Sequence, residues 1–132
     1  MLLATMRVAY NLKQMKHRPI LIKAKPISET LEGWIEGNPV YKKNDVELLT
    51  FKQNTISIDE GTICLFTGLH DSDKKRIFEN DMIVDERGKE WIVYWSKQIG
   101  QFRAKCLNGP GELMLSPLCL NSQIFKNALD EK

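Results

Sequence analysis

Histidine is nearly absent from this chain, with His17 and His70 the only two in 132 residues. Neither has a Ser or Cys neighbour that would make a nucleophile–base pair, so hydrolase chemistry of that kind has no starting point. Cysteine is sparse too. Cys64, Cys106 and Cys119 are odd in number, far apart and form no CxxC pair. That pattern argues against disulfides. Their apolar neighbours, as in Ile63-Cys64-Leu65 and Leu118-Cys119-Leu120, predict reduced, buried thiols and a cytoplasmic setting. No apolar run nears the roughly 18 residues of a membrane span. The opening Met1–Met6 has no charged start and is too short for a secretory signal. No Gly-rich phosphate loop is present, because Thr67-Gly68-Leu69 holds one Gly without a following helix. No cofactor is expected.

Acid is missing from the first 28 residues, which carry six basic ones: Arg7, Lys13, Lys16, Arg18, Lys23 and Lys25. The rest of the chain has 13 basic and 17 acidic residues and sums to −4, against +2 for the whole. Such a block is a solvated arm or a contact for phosphate or an acidic partner. Hydrophobic residues make up 42% and charged residues 27%, which rules out disorder as the default.

What is plentiful is strand signal. Ile20–Ala24 is a short apolar run closed by Pro26. Trp34–Gly37 leads to Val40-Tyr41, with Gly37 and Pro39 predicting an irregular or edge strand. Val46–Phe51 follows, then Thr55–Asp59, whose alternation puts Ile56 and Ile58 on one face. Thr62–Phe66 precedes a polar connection over Leu69–Arg76. Ile77–Asp81 reads as a tight turn with two apolar anchors. Met82–Val84, Glu90–Trp95 and Gln101–Leu107 are strands, separated by turns at Gly88 and Gly100. Trp91, Val93 and Trp95 share one face, Ile92 and Tyr94 the other. On the next strand Phe102, Ala104 and Cys106 point inward, Arg103 and Lys105 outward. Asn108–Gly111 is a turn, Leu113–Leu115 a closing strand, and Leu118–Asn127 a short terminal helix. The expected class is mainly β, with small open barrels, an SH3-like C-terminal part and short terminal helices. If there are two lobes, their boundary lies near residues 70–76. Met15 reads as a second start, making 1–14 an upstream extension with a short helix through Val8–Met15, and 15–132 the domain.

Asp71, Asp73, Glu79 and Asp81, beside His70, invite a divalent metal. The spacing fits no EF-hand, and Lys74, Lys75 and Arg76 sit among them. Turn capping and ion pairing are the preferred reading. Lys16, Arg18, Lys23, Lys25, Arg103 and Lys105 are the candidate surface for nucleic acid or a protein partner. The aromatics Trp34, Tyr41, Trp91, Tyr94, Trp95 and Phe102 suit core or subunit contacts better than a base-stacking platform.

The nineteen positions Phe66–Val84 carry an aromatic-Thr-Gly-Leu run (Phe66–Leu69), an Asp-containing loop, an aliphatic-aromatic-Glu-x-Asp step (Ile77–Asp81) and an aliphatic strand. In this order and spacing they resemble the YopX family of prophage-encoded proteins. Ile22–Lys25 and Glu32–Gly37 are similar to the family's opening strand and Trp element. The likeness runs from Lys16 to Trp95 and fades beyond Phe102. Two departures stand out: Ser72-Asp73-Lys74 replaces an Asn-Gly turn, and Glu79-Asn80-Asp81 replaces Glu-Gly-Asp. The resemblance implies a phage or prophage origin, a β-rich fold and self-association, and supplies no catalytic residues. The expected function is a non-enzymatic accessory protein that binds a protein partner and forms homo-oligomers. The alternative is a nucleic-acid-binding module using the basic arm and a barrel face. No membrane association is expected.

Overall fold

A computed structural model describes residues 20–131. Met15, the helix through Val8–Met15, Lys16, His17 and Arg18 lie outside the described residues. The protein is mainly β, with eleven strands among those residues, all paired antiparallel, and one α-helix. The chain divides into two units, one ending at Leu65 and one beginning at Phe66. No helix among the described residues is long and apolar enough to cross a membrane.

The first unit is a meander. Strands β1 (Ile22–Ala24), β2 (Ile35–Tyr41), β3 (Val46–Thr50) and β4 (Thr55–Ser57) pair in the order β4-β3-β2-β1. The start of β5 (Cys64–His70) flanks β1, through Ile22 opposite Leu65. One bridge, Pro26 to Ile58, brings the end of β4 back to the end of β1. Ile27 N–H donates to the Ser57 carbonyl at 3.0 Å, and Asp59 N–H to the Lys25 carbonyl at 2.8 Å. The sheet therefore curls without closing. Ile22, Ala24, Val46, Leu48, Ile58, Ile63 and Cys64 fill its core. Between β4 and β5, Asp59 caps a short 3-10 turn, Glu60–Thr62, accepting from Gly61 N–H.

β2 pairs β1 over Ile35–Gly37 and β3 over Gly37–Tyr41, so Gly37 is flanked on both sides and Pro39 falls in the stretch that β3 alone pairs. A proline lacks the N–H that a second partner would need, so it is tolerated only on that one-sided part. Gly37 serves closeness of packing. A Cβ there would lie 2.2 Å from the Leu49 carbonyl oxygen and 2.7 Å from Leu48 Cδ2.

In the second unit β5 runs on to His70, so Leu69 and His70 are strand residues and the connection shortens to Asp71–Lys75. β5 pairs β6 (Arg76–Phe78) around a bulge at Gly68, which has φ +84°. Then β7 (Asp81–Val84), β8 (Glu90–Ser96), β9 (Gln101–Cys106), β10 (Glu112–Met114) and β11 (Gln123–Asn127) form a sheet in the order β10-β9-β8-β7-β11. Its buried face is the alternate set that strand period dictates: Ile83, Trp91, Val93, Ala104 and Cys106, with Ile77, Leu115 and Cys119 packed on them. Trp95 and Phe102 face each other across β8 and β9, ring centroids 4.9 Å apart.

The expected helix over Leu118–Asn127 is corrected. The helix is α1, Leu115–Cys119, and Gln123–Asn127 is β11. Pro117 suits the first turn of α1. β11 is held by distant partners that local sequence cannot display. Ile124 N–H donates to Asp71 Oδ2 at 3.0 Å, and Ser72 N–H to the Ser122 carbonyl at 2.9 Å.

Candidate functional site

The four carboxylates that suggest a metal are placed one by one. Asp71 is 5% exposed; Oδ1 accepts from the N–H groups of Asp73 and Lys75, both at 2.9 Å, and Oδ2 from Ile124. Asp81 is fully buried; Oδ2 accepts from Phe78 N–H at 2.8 Å and Oδ1 from Asn127 Nδ2 at 2.8 Å. Glu79 is buried, while Asp73 is exposed. The buried oxygens of Asp71 and Asp81 thus do the work of turn and strand capping. Among the described residues no group of three His, Cys, Asp or Glu side chains gathers for a metal. His70 is exposed and sets its ring edge-on to Phe66 at 5.6 Å.

The three thiols are free and buried. Cys64 donates to the Thr62 carbonyl, Cys106 to Asn108 Oδ1 and Cys119 to the Ser116 carbonyl. Burial pushes the Cys119 thiol up from its ordinary value, and the Asp71 charge adds to this, against a backbone hydrogen bond that lowers it. A thiol held neutral in this way is a poor nucleophile.

The described candidate surface residues divide between the two units. Lys23 lies on β1 and Lys25 just past its end, two residues on and so on the same side of the chain. Their ammonium groups lie over one ring, Trp34, at 4.7 and 5.4 Å from its centroid. Glu36 stands opposite Lys23 on β2. Arg103 and Lys105 belong to the second unit, on the outward face of β9. Lys105 is exposed. Arg103 donates to Gln101 Oε1 at 3.2 Å and faces Tyr94 across the sheet. Burial raises the Tyr94 hydroxyl above its ordinary pKa, as do a hydrogen bond and the charge of Glu112; hydrogen bonding and charge from Arg103 oppose this. Arg103 is therefore a member of a local network with Tyr94 and Glu112.

Two features escape a reading by residue type. The first is Trp34 as the meeting point of two lysines; the i, i+2 spacing of Lys23 and Lys25 was the available signal. The second is the free edge of β10. It pairs β9 alone, and all three of its residues are exposed, Leu113 at 45% and Met114 at 53%. Which strand ends a sheet depends on topology, so no local pattern announces it. Beside β10 lies an open cleft of about 510 Å³ between the 85–89 turn and α1, lined by Trp91, Pro110, Leu113 and Leu118 together with Asp85 and Lys89.

A family model described as YopX protein matches residues 22–124, reaching well past Trp95 and into β11. No curated protein matches the chain.

Proposed function

The chain belongs to the YopX family, and from that premise we propose that it is a non-enzymatic prophage accessory protein that binds a protein partner and assembles with copies of itself. The observation that carries this reading is the free edge of β10, where Leu113 and Met114 stand exposed on a strand with one neighbour. Unpaired strand edges are templates for pairing with another chain, and natural proteins usually blunt them with charge or proline. Here only Glu112 is charged among the three residues. Exposed apolar side chains beside such an edge mark contact surfaces. The absence of enzymatic work is supported by how the reactive groups are used: Asp71 and Asp81 cap backbone, and the thiols are buried.

Light scattering coupled to size exclusion tests the reading. The expected mass at micromolar concentration is a multiple of the 15.2 kDa chain. Leu113→Lys with Met114→Lys should shift it towards the monomer. A wild-type protein that runs only as a monomer would contradict the assembly.

A further inference from the structure

We infer that Lys23, Lys25 and Trp34, in the first unit, form a binding site for single-stranded nucleic acid, independent of the assembly reading. The register that sets Lys23 opposite Glu36 and Ala24 opposite Ile35 brings Trp34 beside Lys25. Ile22 and Ala24 fill the core on the other side of β1, so Lys23 points away from the core, and Lys25, just past β1, and Trp34, just before β2, meet on that same side. Nonspecific single-strand sites combine cations for phosphate with an aromatic face for a base. Both components meet here within 4.7 and 5.4 Å. A cation over a half-exposed ring is a weak contact. When a strand binds, phosphate oxygens take the ammonium groups and a base stacks on the indole in their place.

The sequence leading into β1 has the same character. Arg7, Lys13, Lys16 and Arg18 precede Lys23 without one acid among them. Glu36, opposite Lys23, is a charge that opposes binding here. That gives the site a test with two signs.

The experiment titrates the full 132-residue chain with a labelled oligothymidine at several salt concentrations. Wild type should bind at low salt, weaken as salt rises, and show quenched Trp fluorescence that Trp34→Phe removes. Lys23→Gln with Lys25→Gln should weaken binding about tenfold and cut the log–log salt slope by about 1.4, near 0.7 for each lost phosphate contact. Glu36→Gln should tighten binding, an outcome that does not depend on the double variant folding. Inorganic polyphosphate should compete without quenching Trp34. The inference fails if folded wild type does not bind at low salt. It fails also if binding survives the lysine changes but falls with Arg103→Gln and Lys105→Gln. Equal quenching by polyphosphate would overturn the base-stacking step.

Discussion

Lys74 sits at φ +65° and Gln53 at φ +69°, in the left-handed region that L side chains enter only at a cost. Both occupy the fourth position of one recurring loop, and Gly88 holds the third copy at φ +80°. In Thr50–Asn54, Asp71–Lys75 and Asp85–Lys89 the first residue's N–H donates to the fifth residue's carbonyl. The fourth residue's N–H donates back to the first residue's carbonyl in each. The first side chain then caps the fifth N–H: Thr50 Oγ1 at 3.2 Å, Asp71 Oδ1 at 2.9 Å and Asp85 Oδ1 at 2.9 Å. The Asp71 loop is the place where the family's Asn-Gly turn is replaced by Ser72-Asp73-Lys74. Glycine removes the Cβ penalty at this position. Lys74→Gly and Gln53→Gly should therefore each stabilise the protein by about 1 kcal/mol in urea denaturation, while Gly88→Ala should cost a similar amount. Lys74→Gly that destabilises would mean the lysine side chain contributes more than its backbone costs. Asn80 shows the same logic at φ +67°, where the family has glycine; Asn is the L residue that tolerates this region best.

At the scale of elements, what sequence made legible was local and what it hid was long-range. Alternation along Glu90–Trp95 and Gln101–Leu107 is enough to assign β8, β9 and the buried set Trp91, Val93, Ala104 and Cys106. Asp71 caps its own turn through the N–H groups of Asp73 and Lys75, a role that an Asp beside a turn announces locally. The local pattern of Gln123–Asn127 suits a helix, and its strand character is imposed by distant partners, Asp71, 53 residues before Ile124, and β7. Asp71→Asn tests that dependence. An amide NH2 placed at Oδ2 meets one N–H donor and at Oδ1 two, so at least one bond becomes a repulsion in a buried site. A loss of about 3 kcal/mol is expected. Amide hydrogen exchange should quicken at Ile124 before it does in β8. Unchanged protection of β11 would show that β7 alone holds it. Gly37 was legible only as an irregularity, because its reason is the neighbour across the strand. Gly37→Ala should destabilise the first unit by at least about 2 kcal/mol, since a Cβ 2.2 Å from a backbone oxygen cannot be absorbed by a rotamer change. Near-native stability for that variant would mean that β2 and β3 can separate freely.

For the whole molecule, these titrating groups predict how stability varies with pH. On the acid side, burial tends to raise Asp85. The N–H of Lys89, the Trp91 indole N–H, the N–H of Arg87 and the Lys89 charge outweigh it and hold the carboxyl below its ordinary value. A hydrogen bond from Lys42 likewise lowers Glu47, and the same pair raises Lys42. A carboxyl depressed in the folded state adds stability above its unfolded value, near 4, and loses it as pH falls through the folded one. On the alkaline side Cys119 and Tyr94 are raised, chiefly by burial. An acid raised by folding adds stability below its unfolded value, about 8.5 for Cys and about 10 for Tyr, and loses it as pH rises further. Lys42 acts in the same sense above its own range. Stability measured by urea denaturation should therefore be level between about pH 5 and 8 and fall on both sides. The two limbs belong to different residues, so they can be removed separately. Asp85→Asn should make the acid limb shallower, leaving the part that Glu47 supplies, and leave the alkaline one; Cys119→Ala should flatten the first part of the alkaline limb and leave the acid one. Each variant also loses a contact, so the shape of the profile, rather than its height, is the readout. An acid limb as steep in Asp85→Asn as in wild type would assign that limb to other carboxylates, and the three bonds converging on Asp85 would then be no stronger than those it makes with water when unfolded.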